Sequence, residues 1–133
     1  MKNTNAATNE IAIKQLVENW AAAVRRADIN SVLAHHSGDI VMYDVPPPFQ
    51  SIGIDAYRKT WDLFFTNTRP GVFDIQELHI NAGNDIAFCF AKMTCEDCSS
   101  GTYTLLDFRL TIGLQKINDE WTIVHEHHSI PAE

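Results

Sequence analysis

The apolar positions in the first part of the chain recur at helical spacing. They fall at Ile13, Leu16, Val17, Trp20 and Val24, the stripe of an amphipathic helix. Arg25, Arg26 and Asp28 close it on polar residues. Residues 29–36 predict a second, short helix, capped by Asp28 or Asn30 and stopped by Gly38. Residues 40–45 read as a short strand, which Pro46, Pro47 and Pro48 end because proline has no N–H to offer a ladder. Gly53 opens a third helix with the stripe Tyr57, Trp61, Phe64 and Phe65, and Pro70-Gly71 breaks it.

Beyond Gly71 the period changes to two. Strands are predicted over 72–81, 86–95, 103–117 and 120–130, separated by Gly83-Asn84-Asp85, a polar loop over 96–101, and the two-residue turn Asn118-Asp119. Residues 1–8 are polar and expected to fray. The order α-α-β-α-β-β-β-β is an α+β signature, with three helices covering one face of a curved, mostly antiparallel sheet.

In the strand 103–117 one face carries Leu106, Phe108, Leu110, Ile112 and Leu114 and reads as core. The other carries Tyr103, Leu105, Asp107, Arg109, Thr111 and Gln115, so it meets solvent, a cavity or a partner subunit. A two-residue turn pairs Ile117 with Glu120. That register sets Arg109 opposite His128 and Ile112 opposite His125, and puts His125 and His127 on the interior face with Trp121. One bulge would exchange the faces; the uninterrupted register is the expectation taken forward.

The chain has 133 residues, 45% hydrophobic and 20% charged, enough for one cored domain over 1–133. Ten Lys and Arg against 17 Asp and Glu leave a formal charge of −7, which argues against nucleic-acid and anionic-membrane partners. Three cysteines without a signal-peptide pattern argue against a disulfide-built secreted domain, and no apolar run has transmembrane length. A cytoplasmic location is expected.

Four constellations carry candidate chemistry. His125-x-His127 places two imidazoles roughly 6.6 Å apart on one strand face. They can wall a pocket, serve structure, or begin a metal site that needs a third ligand from Asp44, His79 or Asp107. Cys95-x-x-Cys98 has no second pair, and Cys89 reads as a buried small hydrophobe. Asp44, at a strand end among aromatic residues, suits either a general base or a cap for the following turn. Arg109, in mid-strand, needs an ion-pair network with Asp107, Glu126 or His128, or an anionic ligand group.

The element order resembles the SnoaL-like, ketosteroid-isomerase-like branch of the nuclear transport factor 2-like superfamily. So do the run Tyr43-Asp44-Val45-Pro46-Pro47-Pro48 with Gly53 and Ala56-Tyr57-Arg58, and the ending Trp121-x-Ile123-Val124-His125-Glu126-His127-x-Ser129-x-Pro131. The resemblance covers roughly residues 8–131. It implies a cone of bent sheet on three helices, a ligand pocket inside it, and a homodimer through the sheet. It puts Asp44 where steroid isomerases place their proton-shuttling aspartate. Their oxyanion hole is not matched: the first helix holds Trp20 and no tyrosine, and the site of the second carboxylic acid reads Ile112-Gly113-Leu114.

The expectation is a cofactor-free isomerase, cyclase or hydratase acting on a small apolar carbonyl compound. Asp44, His127 and His125 would do the acid–base work, and Tyr43, Trp61, Phe64, Arg109 and Trp121 would line the ligand. No metal is expected. The alternative is a non-catalytic ligand-binding or dimerisation domain with the same pocket.

Overall fold

The computed structural model describes residues 2–69, 71–97 and 101–132, so Pro70 and Cys98 lie outside the described residues. The elements run α1 (Lys2–Arg25), α2 (Ile29–Leu33), β1 (His36–Tyr43), β2 (Ser51–Ile52), α3 (Ile54–Asn67), β3 (Phe73–Ala82), β4 (Ile86–Asp97), β5 (Thr104–Ile117) and β6 (Glu120–Ser129). The six strands form one sheet in the order β2-β1-β6-β5-β4-β3. All neighbours are antiparallel except β1 and β6, which run parallel.

The helix α1 begins at Lys2, not after residue 8. Asn9 explains part of the extension. It is buried, its Nδ2 donates to the Gly83 carbonyl at 3.0 Å, and its Oδ1 accepts from Lys116 Nζ at 3.2 Å and Trp121 Nε1 at 3.4 Å. These bonds hold the first turns of α1 to one end of the sheet.

The second helix is shorter than its pattern and β1 starts earlier. His35 adopts a positive φ of 61°, and its carbonyl accepts from Ile123 N–H, which draws the chain into the sheet at His36. Asp28 caps α2 as expected. The turn at Asn118 and Asp119 has positive φ at both residues, the primed hairpin geometry that matches strand twist. Gly53 precedes α3 at φ 91°, a conformation that side chains oppose, and its N–H donates to the Ile40 carbonyl at 2.7 Å. Gly53 thereby fixes the start of α3 against β1 and sets where Tyr57 and Trp61 enter the core.

The inner sheet face and the helices bury Ile13, Val17, Trp20, Tyr57, Trp61, Phe73, Met93, Phe108, Leu110 and Ile112. Burial of such side chains contributes about 1.5–3 kcal/mol each before the entropy cost of ordering them.

The register of β5 on β6 departs from the uninterrupted one. Leu114 still faces Ile123, but Gly113 faces His125, Ile112 faces Glu126, Leu110 faces His128 and Arg109 faces Ser129. Val124 is the extra residue. Two successive aliphatic residues, Ile123 and Val124, are where the alternation of β6 breaks. The slip exchanges every side chain beyond it. His125 and His127 therefore turn to the outer face, and Glu126 and His128 turn inward.

Candidate functional site

Asp44 follows β1, and alternation aims it inward after Met42, while Tyr43 points out. The Asp44 carboxylate meets His128, with Nδ1 3.8 Å from Oδ1. His128 Nε2 lies 3.0 Å from Glu126 Oε1. The second Glu126 oxygen, Oε2, accepts from Tyr57 Oη at 2.7 Å and lies 2.9 Å from His36 Nε2. Trp20 Nε1 donates to the Tyr57 oxygen at 3.2 Å. A carboxylate, an imidazole and a second carboxylate thus run from the end of β1 into the core. The Glu126 side chain is 0% exposed and that of Asp44 24%.

Aromatic rings pack around this line. The His128 ring stacks on Phe108 with centroids 5.7 Å apart and meets the Trp61 ring at 6.1 Å and the Trp20 ring at 6.5 Å. Phe73 and Phe64 stand against Trp61 at 5.6 and 5.4 Å.

Burial alone would raise the Glu126 carboxyl, but hydrogen bonds from His128 and His36 outweigh it and bring it down to about 2. Burial disfavours charge on His128, yet the Glu126 hydrogen bond and charge, with the Asp44 charge behind them, raise it above the ordinary imidazole value. Burial and the Glu126 charge push the Tyr57 phenol well up, so it remains a donor.

The sign for stability follows from these directions. His128 binds its proton more tightly folded than unfolded, so its contribution is complete below about pH 6.5 and is lost as pH rises through its raised value. Glu126 contributes above about pH 4.5 and loses that contribution toward pH 2. The melting temperature is expected to peak near pH 5–6 and fall on the alkaline side, and His128→Gln is expected to flatten that alkaline limb in calorimetry. An unchanged limb in the variant would remove His128 as its source.

Tyr43, Asp44 and His127 line one surface cleft of about 680 Å³, together with Val45, the three prolines and Phe49. His125 and His127 both meet the Tyr43 ring edge-on, at 4.9 and 5.3 Å. His125 Nδ1 is bound to the Val41 carbonyl at 2.6 Å. The expected interior position of these two histidines is thus corrected by the bulge. Asp44 also accepts from Val45 N–H at 2.8 Å, so it serves the turn as well as facing His128.

Arg109 is exposed on the outer face, where its Nε donates to Ser129 Oγ at 3.1 Å; it pairs with none of Asp107, Glu126 or His128. Trp121 is buried at the far end of β6, beside Asn9 and Lys116, away from Asp44. Trp61 and Phe64 stand in the ring cluster. Cys95 is buried, which pushes its thiol up to about 11; its expected partner in the CxxC lies outside the described residues. Among the described residues no group of three or more His, Cys, Asp or Glu could hold a metal ion.

The sequence offered Glu126 and His128 only as partners of Arg109 and Tyr57 only as a residue of the α3 stripe, and it gave His36 no role. Their one local signal was the Ile123-Val124 doublet, which marks the bulge.

Residues 13–133 match the SnoaL-like domain family. The chain belongs to the SnoaL-like family. Its structure is similar to an NTF2-like protein of unknown function from Pseudomonas putida KT2440, at 30% identity and a TM-score of 0.87, covering 96% of this chain and 90% of that one. A ketosteroid isomerase-like protein from Erwinia carotovora atroseptica SCRI1043 is 20% identical with a TM-score of 0.76, over 92% and 96% of the two chains. A candidate dehydratase of the NTF2-like family from Streptomyces avermitilis is 14% identical with a TM-score of 0.82, over 96% and 99%. No curated protein matches this SnoaL-like chain. No helix among the described residues is long and apolar enough to cross a membrane.

Proposed function

We propose that this SnoaL-like chain is a cytoplasmic, cofactor-free acid–base enzyme acting on a small, largely apolar carbonyl compound, as an isomerase, cyclase or hydratase. The observation that carries the reading is Asp44, inward-facing and partly exposed, held beside a buried imidazole that is itself backed by Glu126. Asp44 accepts the substrate proton. His128 stands 3.8 Å from the carboxylate and holds it in place. Tyr43 and His127 wall the cleft onto which Asp44 also opens.

The test is deuterium uptake. Small cyclic enones incubated with the protein in D2O and followed by NMR are expected to exchange protons alpha or gamma to the carbonyl faster than in buffer alone. No enhancement across the set would sink the enzymatic reading.

A second reading, a non-catalytic binding and dimerising domain, is favoured by the outer sheet face. Ile86, Phe88, Phe90 and Leu105 stand there 60, 49, 45 and 69% exposed. Cross-strand register aligns Tyr43, His127, Thr111, Phe90 and His79 in one row across five strands. Such an apolar face is the kind of surface a second copy covers. Sedimentation is expected to give a dimer, and Phe90→Glu with Leu105→Glu a folded monomer. A wild-type monomer at micromolar concentration would remove this pairing. If the dimer forms and no enone exchanges, the second reading replaces the first.

A further inference from the structure

The Trp61 indole nitrogen is the one buried side-chain polar atom among the described residues without a hydrogen-bond partner. Trp61 is only 4% exposed, so water does not reach the N–H from outside. Buried donors are almost always paired, and an exception calls for an explanation.

A neighbouring acceptor, the Tyr57 hydroxyl, is already committed. The Trp61 N–H approaches the Tyr57 hydroxyl without reaching bonding geometry. That hydroxyl donates its proton to Glu126 and accepts from Trp20 Nε1, and His36 Nε2 lies 2.9 Å away on its remaining side. A hydroxyl has one proton and two lone pairs, so little acceptor capacity is left for a second indole.

The surroundings say what would complete the bond. Around Trp61 stand Trp20, Phe64, Phe65 and Phe73, with the His128 ring at 6.1 Å. His128 is in turn 3.8 Å from Asp44. Trp61 and Asp44 thus both lie near the same imidazole, one offering a donor and the other an acceptor. Phe64 and Phe65, on the outer side of this cluster, are only half-buried.

The geometry points to Trp61 as the hydrogen-bond donor that receives the carbonyl oxygen of the substrate. The inference rests on the acid–base reading of Asp44. In the step it supports, Asp44 takes a proton from carbon alpha or gamma to the carbonyl. The C–H electron pair moves to the carbonyl oxygen, giving an enolate, and the Trp61 N–H donates to that oxygen throughout. The proton then returns from Asp44 to carbon. An indole N–H steadies negative charge but does not surrender its proton at ordinary pH, so this arrangement suits enolisation and double-bond migration. The substrate class is accordingly a neutral, compact enone or ketone with no donor group near its oxygen.

The test uses the whole protein with 15N-labelled indoles. The three tryptophans give three indole N–H signals, and Trp61→Phe, which keeps a ring in the cluster, identifies that of Trp61. Cyclohex-2-enone and cyclohexene, which share the ring and differ in the oxygen, are titrated in turn. Enone binding is expected to move the Trp61 signal downfield while cyclohexene leaves it near its starting position. Trp61→Phe is expected to weaken the enone roughly tenfold and leave cyclohexene unchanged, the size of one hydrogen bond.

An enone that binds and exchanges its protons with the Trp61 signal unmoved, or binds the Phe variant equally well, overturns the role of Trp61 and leaves Asp44 standing. An enone that shifts the Trp61 signal but exchanges no protons keeps Trp61 as the reader of the oxygen and sinks the catalytic step. Binding of neither probe overturns both.

Discussion

Glu126→Ala is expected to cost about 3–5 kcal/mol of stability, the range seen when one member of a buried charged pair is removed. For a chain of 133 residues that lowers the melting temperature by roughly 10–20 °C. The physical reason is the number of groups left behind. His128, His36 and the Tyr57 hydroxyl all use the two carboxylate oxygens, and all three lose that partner inside a buried ring cluster. Glu126→Gln keeps the shape and one acceptor oxygen, so it is expected to cost less than the alanine. A double variant, Glu126→Leu with His128→Phe, removes both charges together and is expected to recover part of the loss, because an apolar pair of similar volume tolerates that site better than a lone charge. Thermal melts of the three variants at pH 6 check this. A Glu126→Ala protein that melts within 3 °C of the wild type would show that the network is not held by its central carboxylate.

Asp44→Asn is expected to do the opposite: to leave the fold nearly untouched and to remove the proton acceptor. The side chain is partly exposed, contacts His128 at 3.8 Å, and retains with asparagine an oxygen to accept from Val45 N–H. Its effect on stability is therefore expected within about 1 kcal/mol. Deuterium uptake by an enone in D2O is expected to fall by about 10²–10⁴, the usual contribution of a positioned acid or base. Asp44→Glu, with its carboxylate one methylene further on, is expected to fall between the two. Exchange that survives Asp44→Asn would move the acid–base role elsewhere. Exchange lost along with a broadened melt would assign Asp44 to the turn alone.

Several parts of this architecture were legible from residue order. The stripe Ile13-Val17-Trp20-Val24 and the later switch to period two identified the helices and the four long strands, because each buries one face and the spacing records it. Asn118-Asp119 located the last hairpin through its turn chemistry. The short pair Ser51–Ile52 was not legible, since two residues carry no period. The core network was hidden for a different reason. In Val124-His125-Glu126-His127-His128 both parities are polar, so hydrophobicity cannot say which set is buried. One residue of bulge decided it, and the decision exchanged His125 and His127 for Glu126 and His128. Tyr57 and His36 join them only in three dimensions, from 69 and 90 residues away. Asp44 stands where the sequence offered both a base and a turn cap; its carboxylate accepts from Val45 N–H and also faces His128.

The parallel pairing of β1 with β6 bears on how the chain is made. The sheet ladder from Tyr43 to His127 joins a strand synthesised early to one synthesised much later, with α3 and the four strands β2 to β5 between them. A ribosome that has delivered everything up to β5 has produced an antiparallel meander with its inner face uncovered on one side and His36 and Tyr57 without their acid. The sheet closes only when the final strand slides between β1 and β5, and that insertion also brings in Glu126. Such long-range closure slows folding and leaves sticky edges exposed meanwhile. Without β6 the sheet therefore falls into two unjoined parts, β1 with β2 and β3 to β5, and the core network loses its acid.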